Sequence, residues 1–439
     1  MFVGKGALTF RTYRVAGKKT NLKPEEIAEK LKNFRFTGLG SSDEGSASGW
    51  IAPEHLFDGE FDPAKLMRGH FACFALRVDS RKIPSPLVAA HCALEEKAWR
   101  DANDAEKVPA AKRREIKREV RAKLTAEMPP KQVAFGVFWR VKQQKLYFQS
   151  TSKAANEELQ DLFARTFDLM LEAELPAKMA QDTIGEGEEA SERLTLLEGA
   201  MPLCLNGRKS GVGGECSFLG RDFLTWLWFR CEVDGREFEL PSSGASKTET
   251  TGVVVEDALA LASVDEDGST MTLNKGVPTA RPEAANALAA GMTLRKARLA
   301  IARGTREWQV TVDGDTLDLL GLKTPPPEDI ESEEEGDEPT SPDEVEESEG
   351  GKGKKKAAKT DDEALDELAE KLASADEARD TIKSLFHTFL DVRLTKDWDK
   401  DELPRMQSWV ETKLEKAAAD FNLPGDGSRS GRRKKVEKA

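Results

Sequence analysis

Five prolines divide the stretch from Pro84 to Pro130 and leave it few folds to choose from. Proline lacks the amide hydrogen that a helix interior or a central strand requires, so each one marks a boundary. Pro84-Ser85-Pro86 opens a helical pattern running from Leu87 to about Arg100. A polar break, Asp101 to Lys107, and Pro109 separate it from a second pattern, about Ala110 to Glu127, which Pro129-Pro130 ends. Ile116, Val120 and Leu124 recur four apart, a narrow apolar stripe suited to packing on the first helix. The segment predicts a helical hairpin.

Charge gives that hairpin a candidate role. Between Lys107 and Lys123 lie eight bases and two acids, Glu115 and Glu119. The bases fill most of the circumference left by the apolar stripe, and a surface of one sign can meet phosphates from several directions. A solvated helix face usually mixes signs more evenly. The candidate DNA-binding residues are Lys112, Arg113, Arg114, Lys117, Arg118, Arg121 and Lys123, with Lys131 just beyond the hairpin.

The flanks read as α+β. Residues 1–83 form an N-terminal α/β part, with a strand over Val3 to Val15 and a helix opened by Pro24-Glu25-Glu26. A further strand is expected over Phe71 to Val78. After the hairpin (84–130), a central α/β part spans 131–323. It begins with strands at Val133 to Val141 and Leu146 to Gln149, then a helix from Lys153 to Leu171. Ser217 is expected to cap an aromatic helix, Phe218 to Arg230, whose rings lie on nearly all sides and so read as core. Strands over Val253 to Ala260, Met271 to Leu273 and Leu294 to Ala302 follow, with an alanine-rich helix from Pro282 to Ala290. Trp308 to Val312 and Thr316 to Leu320 are expected as a hairpin turning over Asp313-Gly314.

Residues 324–362 are Pro-rich, then acidic, then Gly/Lys-rich, with almost no apolar residues to offset the entropy of ordering. They predict a disordered linker. A helical part (363–424) and a basic tail (425–439) complete the chain. The linker also explains the net charge of −13: Glu328 to Glu349 holds 13 acids and no base, and without it acids and bases balance at 66 each. The acidity is local and does not exclude a polyanion partner. An acidic run of this kind reads first as a spacer and second as a competitor for the basic surface.

Other chemistry is thinly supported. Gly244-Ala245-Ser246-Lys247-Thr248 lacks two glycines of a phosphate loop. Gly211-Val212-Gly213-Gly214 lacks the preceding strand of a dinucleotide fingerprint. His70, Cys73, His91 and Cys92 have poor zinc spacing, because adjacent His91 and Cys92 diverge on a helix. No cofactor is expected. No apolar run approaches the roughly 20 residues of a membrane helix, and five cysteines without a C-x-x-C pair fit a reduced cytoplasm.

Several segments together resemble the RdgC family of recombination-associated DNA-binding proteins. Pro24 to Leu31, Phe36-Thr37-Gly38 and Gly49 to Pro53 look like its N-terminal helix, loop and strand. Lys82 to Val88, opening the charged hairpin, is the most specific match, and Trp139 to Ser152 resembles the strand pair after it. Ala289 to Leu299 and Trp308 to Leu320 are similar to later family segments. The resemblance implies a ring-shaped homodimer with mixed sheets, packed helices and a projecting hairpin, holding double-stranded DNA without reading sequence. It further implies restraint of RecA by occupying DNA, a nucleoid-associated cytoplasmic location and no catalysis. The alternatives are a DNA exonuclease, a label attached to this family, and a protein-docking factor using the acidic linker. The chain departs from family members that carry a basic-aromatic stretch after the hairpin: here Pro129-Pro130-Lys131-Gln132 has no aromatic until Phe135.

Overall fold

The computed structural model describes residues 6–40, 45–185, 187–206, 218–241, 248–263, 268–325 and 361–422. The acidic run, the Gly/Lys run, the basic tail, Ser217 and the glycine-rich loops at 211–214 and 244–247 lie outside the described residues. The chain forms two compact units. One comprises residues up to Ala173 with Lys323–Asp376; the other comprises Glu174–Leu322 and Glu377 onward.

The first unit runs β1 (Leu8–Ala16), α1 (Pro24–Asn33), β2 (Gly45–Ile51), α2 (Pro63–Leu66), β3 (Met67–Arg68), β4 (Phe71–Arg81), α3 (Ser85–Asn103), α4 (Ala110–Glu127), β5 (Lys131–Arg140), β6 (Lys145–Phe148), α5 (Lys153–Phe167) and β7 (Met170–Ala173). Its sheet has the order β7-β1-β6-β5-β4-β2, antiparallel at every step. Where mixed sheets were expected, each of these strand pairs is antiparallel, and among the described residues a parallel contact occurs at the isolated Arg35–Trp50 bridge. Alternate β4 residues Ala72, Phe74 and Leu76 face α1 and α5, joining Val137, Trp139 and Phe148 against Ile27, Leu31, Leu159, Phe163 and Phe167. Period-two alternation on the strands meets period-3.6 stripes on the helices, which fixes one face of the sheet as core. Two buried polar contacts pin this layer. Trp50 Nε1 donates to Thr166 Oγ1 at 2.8 Å, and the Tyr13 hydroxyl donates to Asn156 at 2.6 Å.

The helix expected over Lys153 to Leu171 stops at Phe167. Asp168 takes a left-handed conformation with φ of 57°, which short polar side chains tolerate. The chain then reverses, and Met170–Ala173 pairs with β1 as a strand. Leu169 and Leu171 prolong the apolar pattern past the true end, which is why periodicity alone overran it.

The second unit contains α6 (Pro176–Thr183), α7 (Glu188–Glu198), α8 (Leu219–Val233), β8 (Glu237–Pro241), β9 (Thr248–Ser263), β10 (Thr270–Asn274), α9 (Pro282–Ala289), β11 (Met292–Arg303), β12 (Arg306–Asp313) and β13 (Leu319–Lys323). Helices α10 (Asp361–Arg393) and α11 (Leu403–Asn422) follow; α10 up to Asp376 belongs to the first unit. Phe223, Trp226, Trp228 and Phe229 of α8 are all at most 1% exposed, so the aromatic helix is core as its all-round apolarity predicts.

The expected hairpin across Asp313-Gly314 is present, since β12 and β13 are sheet neighbours, but a tight two-residue hairpin lies one strand earlier. It joins β11 to β12, with Arg303 opposite Arg306 and only Gly304-Thr305 between them. Gly304 has φ of +58°, the left-handed value that a first central turn position demands of glycine. After Asp313 the chain makes a wider turn, in which Leu317 N–H bonds Asp313 O at 2.7 Å and Asp313 N–H bonds Asp318 O at 3.1 Å.

Candidate nucleic-acid interface

The hairpin is built as its prolines predict. Helix α3 begins at Ser85 and ends on Asp104, which closes it in a left-handed conformation with φ of 49°. Helix α4 begins after Pro109. Between them Val88 of α3 and Val108 of the connection pack on Ile116, Val120 and Leu124, with Ile83 below and Cys92, Trp99 and Met128 at the margin. This is a separate small core from the one beneath the sheet. Arg113 adds an ion pair across the helices to Glu96 at 3.5 Å.

The hairpin's base is fastened to the sheet. Arg81, the last residue of β4, is 8% exposed; it donates from Nε to Met128 O and from Nη1 to Gly40 O, each at 3.0 Å. Four residues earlier, Arg77 grips both oxygens of Asp79 at 2.8 Å. The Arg77 guanidinium lies 4.2 Å from the centre of the Phe36 ring and 4.9 Å from that of Phe57. Bidentate, aromatic-flanked arginine is a stiff element. The strand feeding the hairpin is therefore held on its charged face as well as its apolar one.

The structure sorts the candidate residues. Arg113, Arg114, Lys117, Arg118, Arg121, Lys123 and Lys131 are exposed, whereas Lys112 is half-buried and pairs with Glu115 at 3.0 Å. Arg114, Lys117, Arg118 and Arg121 are spaced i, i+3, i+4, i+7 on a helix now known to be regular. At about 100° per residue they share an arc of about 100°, and at about 1.5 Å per residue they extend over roughly 10 Å. Lys112 and Lys123 fall on the other flank, with Glu115 and Glu119 between them and the rest. The bases do not fill the free circumference evenly: four make one face, and the two acids are segregated from it. Lys131 starts β5, opposite Ser80 of β4, and belongs to the sheet side of the hairpin base.

That face needs no fine tuning to hold phosphates. Exposure lets each of its side chains swing to a phosphate oxygen. Among the described residues no ion pair is formed by Arg114, Lys117 or Arg118. The i, i+3, i+4, i+7 spacing was visible in the sequence; what it lacked was the knowledge that α4 is an unbroken helix with its apolar stripe fully covered.

Elsewhere, among the described residues, no group of three or more His, Cys, Asp or Glu side chains is placed to hold a metal ion. Cys73 lies fully buried in β4, where desolvation pushes its thiol up to about 12. No described helix is long and apolar enough to cross a membrane.

Residues 9–184, which take in the whole sheet of the first unit and the hairpin, match a family model described as "Putative exonuclease, RdgC". No curated protein matches the chain.

Proposed function

We propose, from the match of residues 9–184 to the RdgC family model, that this chain belongs to that family and binds double-stranded DNA through charge. The observation that carries the proposal is the exposed four-base face of α4, Arg114, Lys117, Arg118 and Arg121. An exposed face of one sign is suited to phosphates along either strand, and the binding read from it is driven by charge and independent of sequence. The bound form is a homodimer closed around the duplex. By occupying DNA it limits the access of RecA and so modulates homologous recombination.

Fluorescence anisotropy with labelled duplexes of unrelated sequence tests this directly. Affinities agree within a few-fold across sequences, and the logarithm of affinity falls with the logarithm of salt by about 3.6 for each four-phosphate face engaged. Sequence-dependent affinity, or a slope near zero, overturns it. Sedimentation of the free and DNA-bound protein tests the dimer, and RecA-promoted strand exchange with increasing protein tests the restraint.

The word exonuclease in the family description supports a second reading. Incubating labelled linear duplex with the protein and Mg²⁺ or Mn²⁺ separates the two, since processive shortening assigns nuclease activity and intact substrate assigns binding alone.

A further inference from the structure

The second unit contains an open cavity of about 650 Å³ where α11 passes the end of α8 and the start of α9. Its position owes nothing to the hairpin. Its lining includes the apolar Val233, Ala280, Ala285 and Ala417 and the cationic Arg281, Arg405, Lys413 and Lys416. One wall is built rigidly. Glu232 accepts from Trp228 Nε1 at 2.7 Å, from Trp409 Nε1 at 2.9 Å and from Lys413 Nζ at 2.8 Å. The Lys413 ammonium also donates to Thr279 O at 2.7 Å and stands 4.8 Å and 5.3 Å from the Trp228 and Trp409 rings. Glu232 is thereby committed to three donors. Arg405 is likewise committed, to Asp234 and Glu402.

Two further cations of the lining are not neutralised in this way. Among the described residues neither Arg281 nor Lys416 has a carboxylate at ion-pair distance. The Arg281 guanidinium spends Nη2 on the carbonyls of Asn274 and Lys275, which anchors it beside the cavity it lines. Exposed Ser408 adds a hydroxyl on α11, whereas the Thr412 hydroxyl is spent on the Ser408 carbonyl at 2.9 Å. An anchored guanidinium and an exposed ammonium beside Val233, Ala285 and Ala417 match an anion carried on a flat, weakly polar body. The volume lies in the range that takes a ligand of nucleotide size.

We propose that this cavity binds a nucleoside phosphomonoester, with the phosphate held by Arg281 and Lys416 and the base beside Val233 and Ala285. The same chemistry is carried by a free mononucleotide and by the 5′-phosphorylated end of a DNA strand.

Titration calorimetry on the full chain tests it with four probes: dAMP, deoxyadenosine, and a short oligothymidylate with either a 5′-phosphate or a 5′-hydroxyl. Saturable binding of dAMP or of the phosphorylated oligonucleotide, at least about tenfold tighter than its unphosphorylated counterpart, supports the site, and the tighter of the two identifies the source. Lys416→Glu reverses an exposed charge without touching the core and weakens that binding at least about tenfold, the loss expected for a charge-assisted phosphate contact. Thr412→Trp fills the mouth from an exposed position and abolishes it, with an unchanged melting temperature certifying the fold. The hairpin variant Arg114→Glu/Arg118→Glu/Arg121→Glu retains it, so failure of the hairpin reading leaves this result intact. Absence of phosphate-dependent binding at millimolar probe, or wild-type binding by both cavity variants, overturns the proposal.

Discussion

Arg81 Nε donates to the main-chain oxygen of Met128 at 3.0 Å, so the last residue of the strand entering the hairpin grips the residue that closes its second helix. The contact spans 47 residues of sequence and shuts the base of the hairpin. Hydrogen bonds from a charged donor are worth about 1.5–3 kcal/mol each, and a buried carbonyl left without its donor loses more than the bond alone. Arg81→Ala is expected to destabilise the first unit by about 2–4 kcal/mol. Amide exchange in α4 should speed up ahead of exchange in β4 and β5; equal acceleration throughout would show that Arg81 serves the whole unit and not the hairpin base.

Charge reversal on the α4 face gives a second prediction. Replacing Arg114, Arg118 and Arg121 by Glu removes three phosphate contacts per face, so the salt slope falls by about 2.7 in addition to the loss of affinity. Lys112→Glu with Lys123→Glu, on the opposite flank, should change the slope by well under half as much. Equal effects from the two variants, measured by anisotropy across a salt series, would dissolve the distinction between the flanks.

Asp222 supplies a pH dependence. It is 1% exposed on α8, and burial pushes its carboxyl from 3.8 up to about 7, against the smaller opposing pulls of Arg393 and the Leu203 amide. A raised acid pKa means the folded state keeps a proton that the unfolded chain has already lost. Stability from this group is therefore full below about 4, declines as pH rises through the interval, and levels off above about 7. Asp222→Asn removes the titration. Between pH 5 and 8 the melting temperature of the wild type should fall relative to that of the variant, and parallel curves would reject the assignment.

Asp376 closes the list. Its side chain, 8% exposed, accepts from Lys145 Nζ at 3.1 Å and also from Arg140 and the Tyr147 hydroxyl. Removing the carboxylate strands two cations and a phenol in a half-dry site, a change that typically costs about 3–5 kcal/mol. Asp376→Ala should lower stability by that order in denaturant titration, and Asp376→Asn, which retains an acceptor, by less. A loss below about 1 kcal/mol for Asp376→Ala would mean that water replaces the carboxylate freely.

Local chemistry decided what was legible beforehand. Prolines at 84, 109 and 129 act through their own backbone, so the hairpin's limits could be read residue by residue. The four-residue spacing of Ile116, Val120 and Leu124 likewise named the buried stripe. The end of α5 was misread because Asp168 stops it by conformation, while the apolar pattern runs on through Leu171. The hairpin of β12 and β13 was legible from Asp313-Gly314, although its turn is wider than two residues; the tight turn at Gly304-Thr305 has Arg303 ahead of its glycine, so only strand pairing reveals it. The cavity beside α9 had no sequence signature at all. Arg281, Glu232 and Lys416 come from three distant segments, and tertiary packing alone makes them neighbours.

The separation of Arg114, Lys117, Arg118 and Arg121 from Glu115 and Glu119 gives α4 an electric moment perpendicular to its axis, distinct from the backbone dipole that runs along it. In the field of a polyanion such a moment feels a torque as well as a pull. The hairpin is turned basic side first while still a Debye length or so away, about 8 Å at physiological salt. Encounters then begin in the productive orientation, and a mutant that kept the same net charge but mixed the signs around the helix would associate more slowly.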